Sequence, residues 1–157
     1  MATKKSQVKE SQEMVEKMGV FFEKAGLAPM PGRVFAYLLL AEPPQKDFYE
    51  IQEFLKASKS AISNALKFLQ NRGMVEYLTI SGDRRRYFKV DAKGWLETTR
   101  ADIASTAHFK VMIENVLKHR AGSKHLDFNE QLEEMVEFYE ALDKNLITFM
   151  KKWDARK

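Results

Sequence analysis

The hydrophobic period of this chain changes from helical to alternating at Gly73, and that change limits what the chain can fold into. Upstream, apolar residues recur at helical spacing; from Met74 they alternate with polar ones, the two-residue period of a half-buried strand. Met74 to Ile80 reads as one strand, Ser81-Gly82-Asp83 as a turn, and Arg84 to Val90 as a second strand. The result is a β-hairpin with three consecutive arginines at its tip. A lone hairpin is marginal in water, so it must pack on the helices around it.

Those helices are marked by their ends. Residues 1–5 read as a short disordered lead. From about Ser6 to Ala25, Met14, Met18, Phe21 or Phe22, and Ala25 share one face, and Gly26 ends the helix. Pro31 suits a first helical turn, so a short apolar helix is expected over Gly32–Glu42, stopped by Pro43-Pro44. Asp47 is the expected cap of a third helix, Phe48–Leu55, with Phe48, Ile51 and Leu55 on its inner side. Lys56-Ala57 leaves room only for a tight turn. Ser58 then caps a fourth helix that runs to Arg72 and closes on Gly73. Beyond the hairpin come a long helix from about Lys93 to Arg120, a break at Gly122, and a last helix from about Phe128 to Lys152.

With 31% charged residues, 7 Gly and 4 Pro, the composition agrees with a mainly α fold carrying one small hairpin. At 157 residues the chain should bury roughly 68–70% of its unfolded surface. No disulfide or metal is needed to hold such a core. The absence of cysteine excludes a disulfide framework, thiolate zinc sites and thiol nucleophiles. The N-terminal stretch is charged and has no apolar core of a signal peptide, and the longest apolar run, Val34 to Ala41, is far short of a membrane span. A cytoplasmic protein without membrane contact is expected.

The net charge of +4 hides an asymmetry. Lys56 to Lys93 holds nine cations and three anions, a net +6, whereas Asp127 to Leu146 holds seven anions and one cation, a net −6. On a helical wheel of the fourth helix, Ile62, Ala65, Leu66 and Leu69 gather on one side, with Ser58 beside them. Lys59, Ser60, Ser63, Asn64, Lys67, Gln70 and Asn71 fill the other, without a single acid. A merely solvated face mixes Glu with Lys. An acid-free one suits a helix that enters a groove walled by phosphates, where Ser, Asn and Gln reach base edges and lysines reach the backbone. Arg84, Arg85 and Arg86 crowd positive charge on the hairpin tip at an electrostatic cost that an anionic partner relieves, and Asp83 is placed to orient one of them. Candidate DNA-binding residues are therefore Ser58, Lys59, Ser60, Ser63, Asn64, Lys67, Arg84, Arg85 and Arg86. The hairpin offers no evident aromatic platform, which ranks RNA below duplex DNA.

These segments resemble the GbsR-type branch of the MarR-like winged helix-turn-helix regulators. The resemblance rests on Met30-Pro-Gly-Arg-Val-Phe-Ala-Tyr-Leu-Leu-Leu, Ser58-Lys-Ser-Ala-Ile-Ser-Asn-Ala-Leu-Lys-Phe-Leu, Gly73-Met-Val-Glu and Gly82-Asp-Arg-Arg-Arg-Tyr-Phe, covering roughly residues 20–95. It implies a winged helix-turn-helix flanked by N- and C-terminal dimerisation helices, divided as 1–25, 26–93 and 94–157. It also implies a homodimeric regulator on a pseudopalindromic operator, a repressor in expectation, released by a small-molecule effector. In that branch a quaternary ammonium such as choline would suit an aromatic cage, for which Phe21, Phe22, Trp95 and Phe109 are the candidates, with Phe128 and Tyr139 near them in type.

The last helix supports a dimer independently. Leu132, Met135, Tyr139, Leu142, Leu146, Phe149 and Trp153 follow a 3-4 spacing over three heptads, a seam that either the first and fifth helices of the same chain or a second copy must cover; a reader of two half-sites favours the second copy. No catalytic constellation is present: His108, His119 and His125 share no metal-ligand spacing with a carboxylate, and there is no phosphate-binding loop or serine elbow. No cofactor is expected. The reading from another class is a winged-helix protein-interaction or assembly subunit without specific DNA binding.

Overall fold

The computed structural model describes residues 4–156, with side chains from Ser6 onward. In chain order the elements are α1 (Lys4–Lys24), α2 (Pro29–Leu39), β1 (Gln45–Asp47), α3 (Phe48–Leu55), α4 (Lys59–Asn71), β2 (Val75–Leu78), β3 (Tyr87–Val90), α5 (Ala92–His119) and α6 (Leu126–Asp154). The disordered lead expected over residues 1–5 falls outside the described residues at 1–3, and residues 4 and 5 already have helical backbone. The fold is mainly α with one small sheet, as expected. It divides into two compact units, the first through Thr98 and the second from Thr99.

In the first unit α2 is the central element, packed against α1, α3 and α4. It buries Val34, Phe35, Ala36 and Leu38, which join Ile51 from α3 and Ile62, Leu66 and Leu69 from α4 in one core. The helix begins at Pro29, three residues before the expected start, because a proline in the first turn removes a donor that would lack a partner and Ala28 provides no side-chain cap. It ends at Leu39, short of Pro43-Pro44. From α1 the core receives Val15 and Phe22, with Met18 packed against it; Met14 and Phe21 are exposed, so Phe22 is the member of its pair that faces inward and Val15 replaces Met14. α1 and α2 approach closely at two glycines. A Cβ on Gly32 would stand 3.3 Å from the Gly19 carbonyl oxygen and from the Phe22 Cβ. Arg33 spans the same crossing, its Nε 3.0 Å from Glu16 and its Nη1 on Glu23.

The sheet is antiparallel with order β1-β3-β2. Its two expected strands are there in shortened form, joined by a loop over residues 79–86. β1 was not legible, since Gln-Lys-Asp shows no alternation; it exists by pairing along the free edge of β3, Gln45 opposite Lys89 and Asp47 opposite Tyr87. Gly73, at φ +64, turns the chain from α4 into β2. The start of α5 rests on that turn: the Thr98 hydroxyl donates to the Arg72 carbonyl oxygen at 2.6 Å, and a Cβ on Gly94 would collide with the Gly73 carbonyl oxygen and the Asp91 carboxylate.

In the second unit, α5 and α6 lie antiparallel. Phe109 stacks on Tyr139 with centroids 5.8 Å apart, Lys110 pairs with Glu140 at 3.3 Å, and Arg100 pairs with Asp154 at 2.8 Å. At the connection Arg120 donates to Asn129 at 2.8 Å and covers the Phe128 ring. Ile113 is the one buried residue of α5, and α6 has none. No helix among the described residues is long and apolar enough to cross a membrane.

Gly94→Ala forces apart two backbone segments that have no room to yield. It is expected to cost about 1–3 kcal/mol, read as a lower urea midpoint at unchanged slope. An unshifted midpoint would show that the α4–α5 junction relaxes freely.

Candidate nucleic-acid interface

The interface is set by its capping groups. Asp47, at 3% exposure the buried charged residue of the core, closes the start of α3: its Oδ1 accepts the backbone N–H of Tyr49 at 2.8 Å and of Glu50 at 2.9 Å. Glu50 in turn accepts the Asp47 N–H at 2.8 Å, completing a capping box. Lys56 takes the left-handed conformation, φ +50 and ψ +40, and so ends α3 and turns the chain toward α4 within three residues. Ser58 Oγ then accepts the Ala61 N–H at 3.2 Å. Ser58 is exposed although the wheel places it beside the apolar stripe, because its hydroxyl is turned to the helix end. Ile62, Ala65, Leu66 and Leu69 are buried. Lys59, Ser60, Ser63, Asn64, Lys67, Gln70 and Asn71 are all exposed, and α4 carries no carboxylate.

The three arginines of the loop divide into two kinds. Arg85 is held: its Nε and Nη2 donate to Asp83 at 3.0 and 2.7 Å, its Nη1 donates to Asp47 at 2.9 Å, and its guanidinium stands 5.4 Å from the Tyr87 ring centroid. The Tyr87 hydroxyl donates to the same Asp83 carboxylate at 2.7 Å. Asp83 is therefore the residue that orients an arginine, and Arg85 is the arginine it orients. The Arg85 side chain, aided by its backbone N–H and by Tyr87, holds the Asp83 carboxyl well below the usual carboxylate range. The hydrogen bond to Asp83 likewise raises Arg85 and Tyr87 above their ordinary values. Arg84 and Arg86 are exposed, and among the described residues their guanidinium groups have no hydrogen-bond or ion-pair partner.

Two tyrosines stand with these groups that sequence reasoning did not select. Tyr49, 61% exposed on the first turn of α3, has the Lys59 ammonium 5.9 Å from its ring centroid. Tyr77, 50% exposed on β2, puts an aromatic ring on the hairpin where none was expected. The signal available in sequence was the alternation Glu76-Tyr77-Leu78 beside the basic loop. Both tyrosines line an open trough of about 730 Å³ between α4 and the arginine loop.

The remaining candidates lie elsewhere. Phe22 is buried, edge-on to Phe35, whose other side meets Trp95 at 4.9 Å, so these two rings belong to the core cluster of the first unit. Phe21 is 65% exposed. Phe109 belongs to the second unit, stacked on Tyr139. Along the α6 seam Leu132, Tyr139, Leu142, Leu146 and Trp153 are partly covered, whereas Met135 and Phe149 are exposed. Among the described residues no group of three His, Asp or Glu side chains could hold a metal ion.

A capped helix, a left-handed turn, a second capped helix and an antiparallel hairpin with an arginine tip make a winged helix-turn-helix. The chain is similar over 93% of its length to a crystal structure described as a transcriptional regulator, at 25% identity, a TM-score of 0.69 and 99% of that chain covered. It is also similar to the HTH-type transcriptional regulator MmpR5 of Mycobacterium tuberculosis, 33% identical over 98 residues, 62% of this chain and 59% of that protein. The chain thus spans under two thirds of that relative's length. A looser likeness, TM-score 0.44 at 16% identity over 89% of this chain and 98% of the other, is to MepR, a transcription regulator of the Staphylococcus aureus multidrug efflux pump MepA. No family model matches the sequence.

Because the Asp83 carboxyl is lowered in the fold, its ion pair contributes above the ordinary carboxylate range and fades only as pH falls through the lowered value. A carbon-13 NMR titration of the carboxyls should place Asp83 well under the reference of about 3.9. In Asp83→Asn that carboxyl signal is absent, and the Arg85 Nε–H and Tyr87 ring signals should shift because both donors lose their shared charged acceptor. An ordinary midpoint would mean that the pair does not persist in solution.

Proposed function

We propose that this chain is a sequence-specific DNA-binding transcriptional regulator of the MarR-like winged-helix kind, in its GbsR-type branch, acting as a homodimeric repressor released by a small effector. The observation that carries this reading is the acid-free exposed face of α4 beside the two unpaired arginines, Arg84 and Arg86. Such a surface repels itself and attracts a polyanion. The likeness to two transcriptional regulators supports it. Ser58, Ser60, Ser63 and Asn64 are positioned to read base edges in a major groove, and Lys59, Lys67, Arg84 and Arg86 to meet phosphates. Arg85 belongs to the same surface in a different part: it fixes the loop from which its neighbours reach.

A two-fold dimer supplies two such helices to half-sites one turn apart, about 34–36 Å. The α6 seam from Leu132 to Trp153 is the proposed interface, and the exposed Met135, Phe138, Ile147 and Phe149 support it, since a second helix would cover them. α1, packed on α2 in the first unit, is proposed to join that interface through its exposed outer side chains. For an effector, Phe21 and Phe109 have free ring surface, while Phe22 and Trp95 are engaged in packing. Nothing in this reading calls for catalysis.

Gel-shift titration against the DNA upstream of its own gene, at two salt concentrations, tests the proposal. Arg84→Ala should weaken binding to every duplex and flatten the log–log salt slope by about 0.9. Ser63→Ala or Asn64→Ala should reduce the preference for that DNA over random duplex by about 1–3 kcal/mol. Binding that does not respond to salt would instead favour a protein-interaction role. Sedimentation of Leu142→Asp should show monomers; an intact dimer would move the interface away from α6.

A further inference from the structure

The trough between α4 and the arginine loop is more than the gap left between two binding elements. Its walls carry Lys67 from α4 and Arg84 and Arg86 from the loop, and no carboxylate lines it. The nearest acids are engaged: Asp83 and Asp47 hold Arg85, and Glu76 pairs with Lys89 at 2.9 Å. Its apolar lining is the half-buried Phe48 with the buried Leu66 and Phe88 behind it, and the two exposed tyrosines, Tyr49 and Tyr77, share that lining. Among the described residues neither tyrosine hydroxyl has a hydrogen-bond partner. Two polar hydroxyls, cations on both sides and an apolar lining do not fit solvent alone.

They fit one sugar-phosphate strand. A duplex that receives α4 in its major groove and the loop in the neighbouring minor groove must run the strand separating those grooves between the two elements. On this protein that path is the trough. We propose that the trough seats that strand, the Tyr49 and Tyr77 hydroxyls and the Gln70 amide donating to phosphate oxygens while deoxyribose faces rest against the exposed tyrosine rings and Phe48. This rests on the DNA-binding reading above and adds contacts it did not contain. The contacts are indifferent to sequence, because every duplex presents the same backbone. They are also neutral, so they release no counterion and leave the salt slope alone.

That combination separates them from the basic residues. Tyr77→Phe and Tyr49→Phe remove one oxygen each from exposed side chains and keep the ring. Binding is measured by fluorescence anisotropy on a random-sequence duplex about three helical turns long, and on one strand of it alone. Each variant should bind the duplex roughly threefold to tenfold more weakly, the range of one ordinary hydrogen bond at a solvent-exposed site, with a salt slope equal to that of the unsubstituted protein. Unchanged affinity in both variants, while Arg84→Ala still weakens binding, would overturn the seat and leave the DNA-binding reading intact. Failure of the unsubstituted protein to bind any duplex would overturn both. Tighter binding to the single strand, kept in Tyr77→Phe and lost in Tyr77→Ala, would also overturn it and assign the ring to base stacking.

Discussion

The buried carboxylate of Asp47 is the interaction on which the rest of the first unit depends. One oxygen closes the first turn of α3, and the other receives Arg85 from a loop 38 residues further along the chain. Asp47 is also the last residue of β1, opposite Tyr87 in the sheet. A single buried charge thus joins the start of the helix-turn-helix, the sheet edge and the arginine loop. An uncompensated charge at that depth is strongly unfavourable, so its partners are held as firmly as the carboxylate is. Loop residues are usually the most mobile part of a hairpin. Here the middle arginine anchors the loop, and its neighbours project from a fixed base.

The division of work among like residues follows from that anchor. Arg84, Arg85 and Arg86 are equivalent in composition, and the charge count treats them alike. The structure gives Arg85 four hydrogen bonds to two carboxylates and an aromatic face, and among the described residues leaves the guanidinium groups on either side without partners. α4 shows the same economy: buried Ile62, Ala65, Leu66 and Leu69 fix one face, which leaves the opposite one free of any packing duty.

What was legible in the sequence was what is decided within a few residues. Asp47, Ser58 and Gly73 act on backbone groups two to four positions away, so the bounds of α3 and α4 came out within a residue or two. The acid-free face was legible for the same reason, since 100° per residue turns a string into a surface. The failures are those of distance. β1 has no pattern of its own and forms only because β3 has a free edge. The start of α2 was expected just after Pro31, but the helix takes in both prolines and begins at Pro29. On α1, Met18 and Phe22 meet the core as the spacing predicts, but Val15 stands where Met14 was expected, since only the packed partner helix decides which neighbour on the face is covered. The tyrosines of the trough come from α3 and β2, and only the folded chain brings them beside the same basic loop.

Burial in the second unit has a thermodynamic consequence. Apolar area removed from water is what offsets the entropy lost when a chain orders. Among the described residues from Thr99 onward one, Ile113, is buried, while in the first unit Val34, Phe35, Ile51, Ile62 and Leu69 are all fully so. A single chain is therefore unevenly stable. Its α5–α6 hairpin is expected to open at a lower free-energy cost than its winged helix. Two copies joined along α6 would lend each other the missing cover, so the ordering of that hairpin would rise with protein concentration. In such a molecule abundance itself becomes a variable of folding: a scarce protein and a plentiful one would not be the same structure.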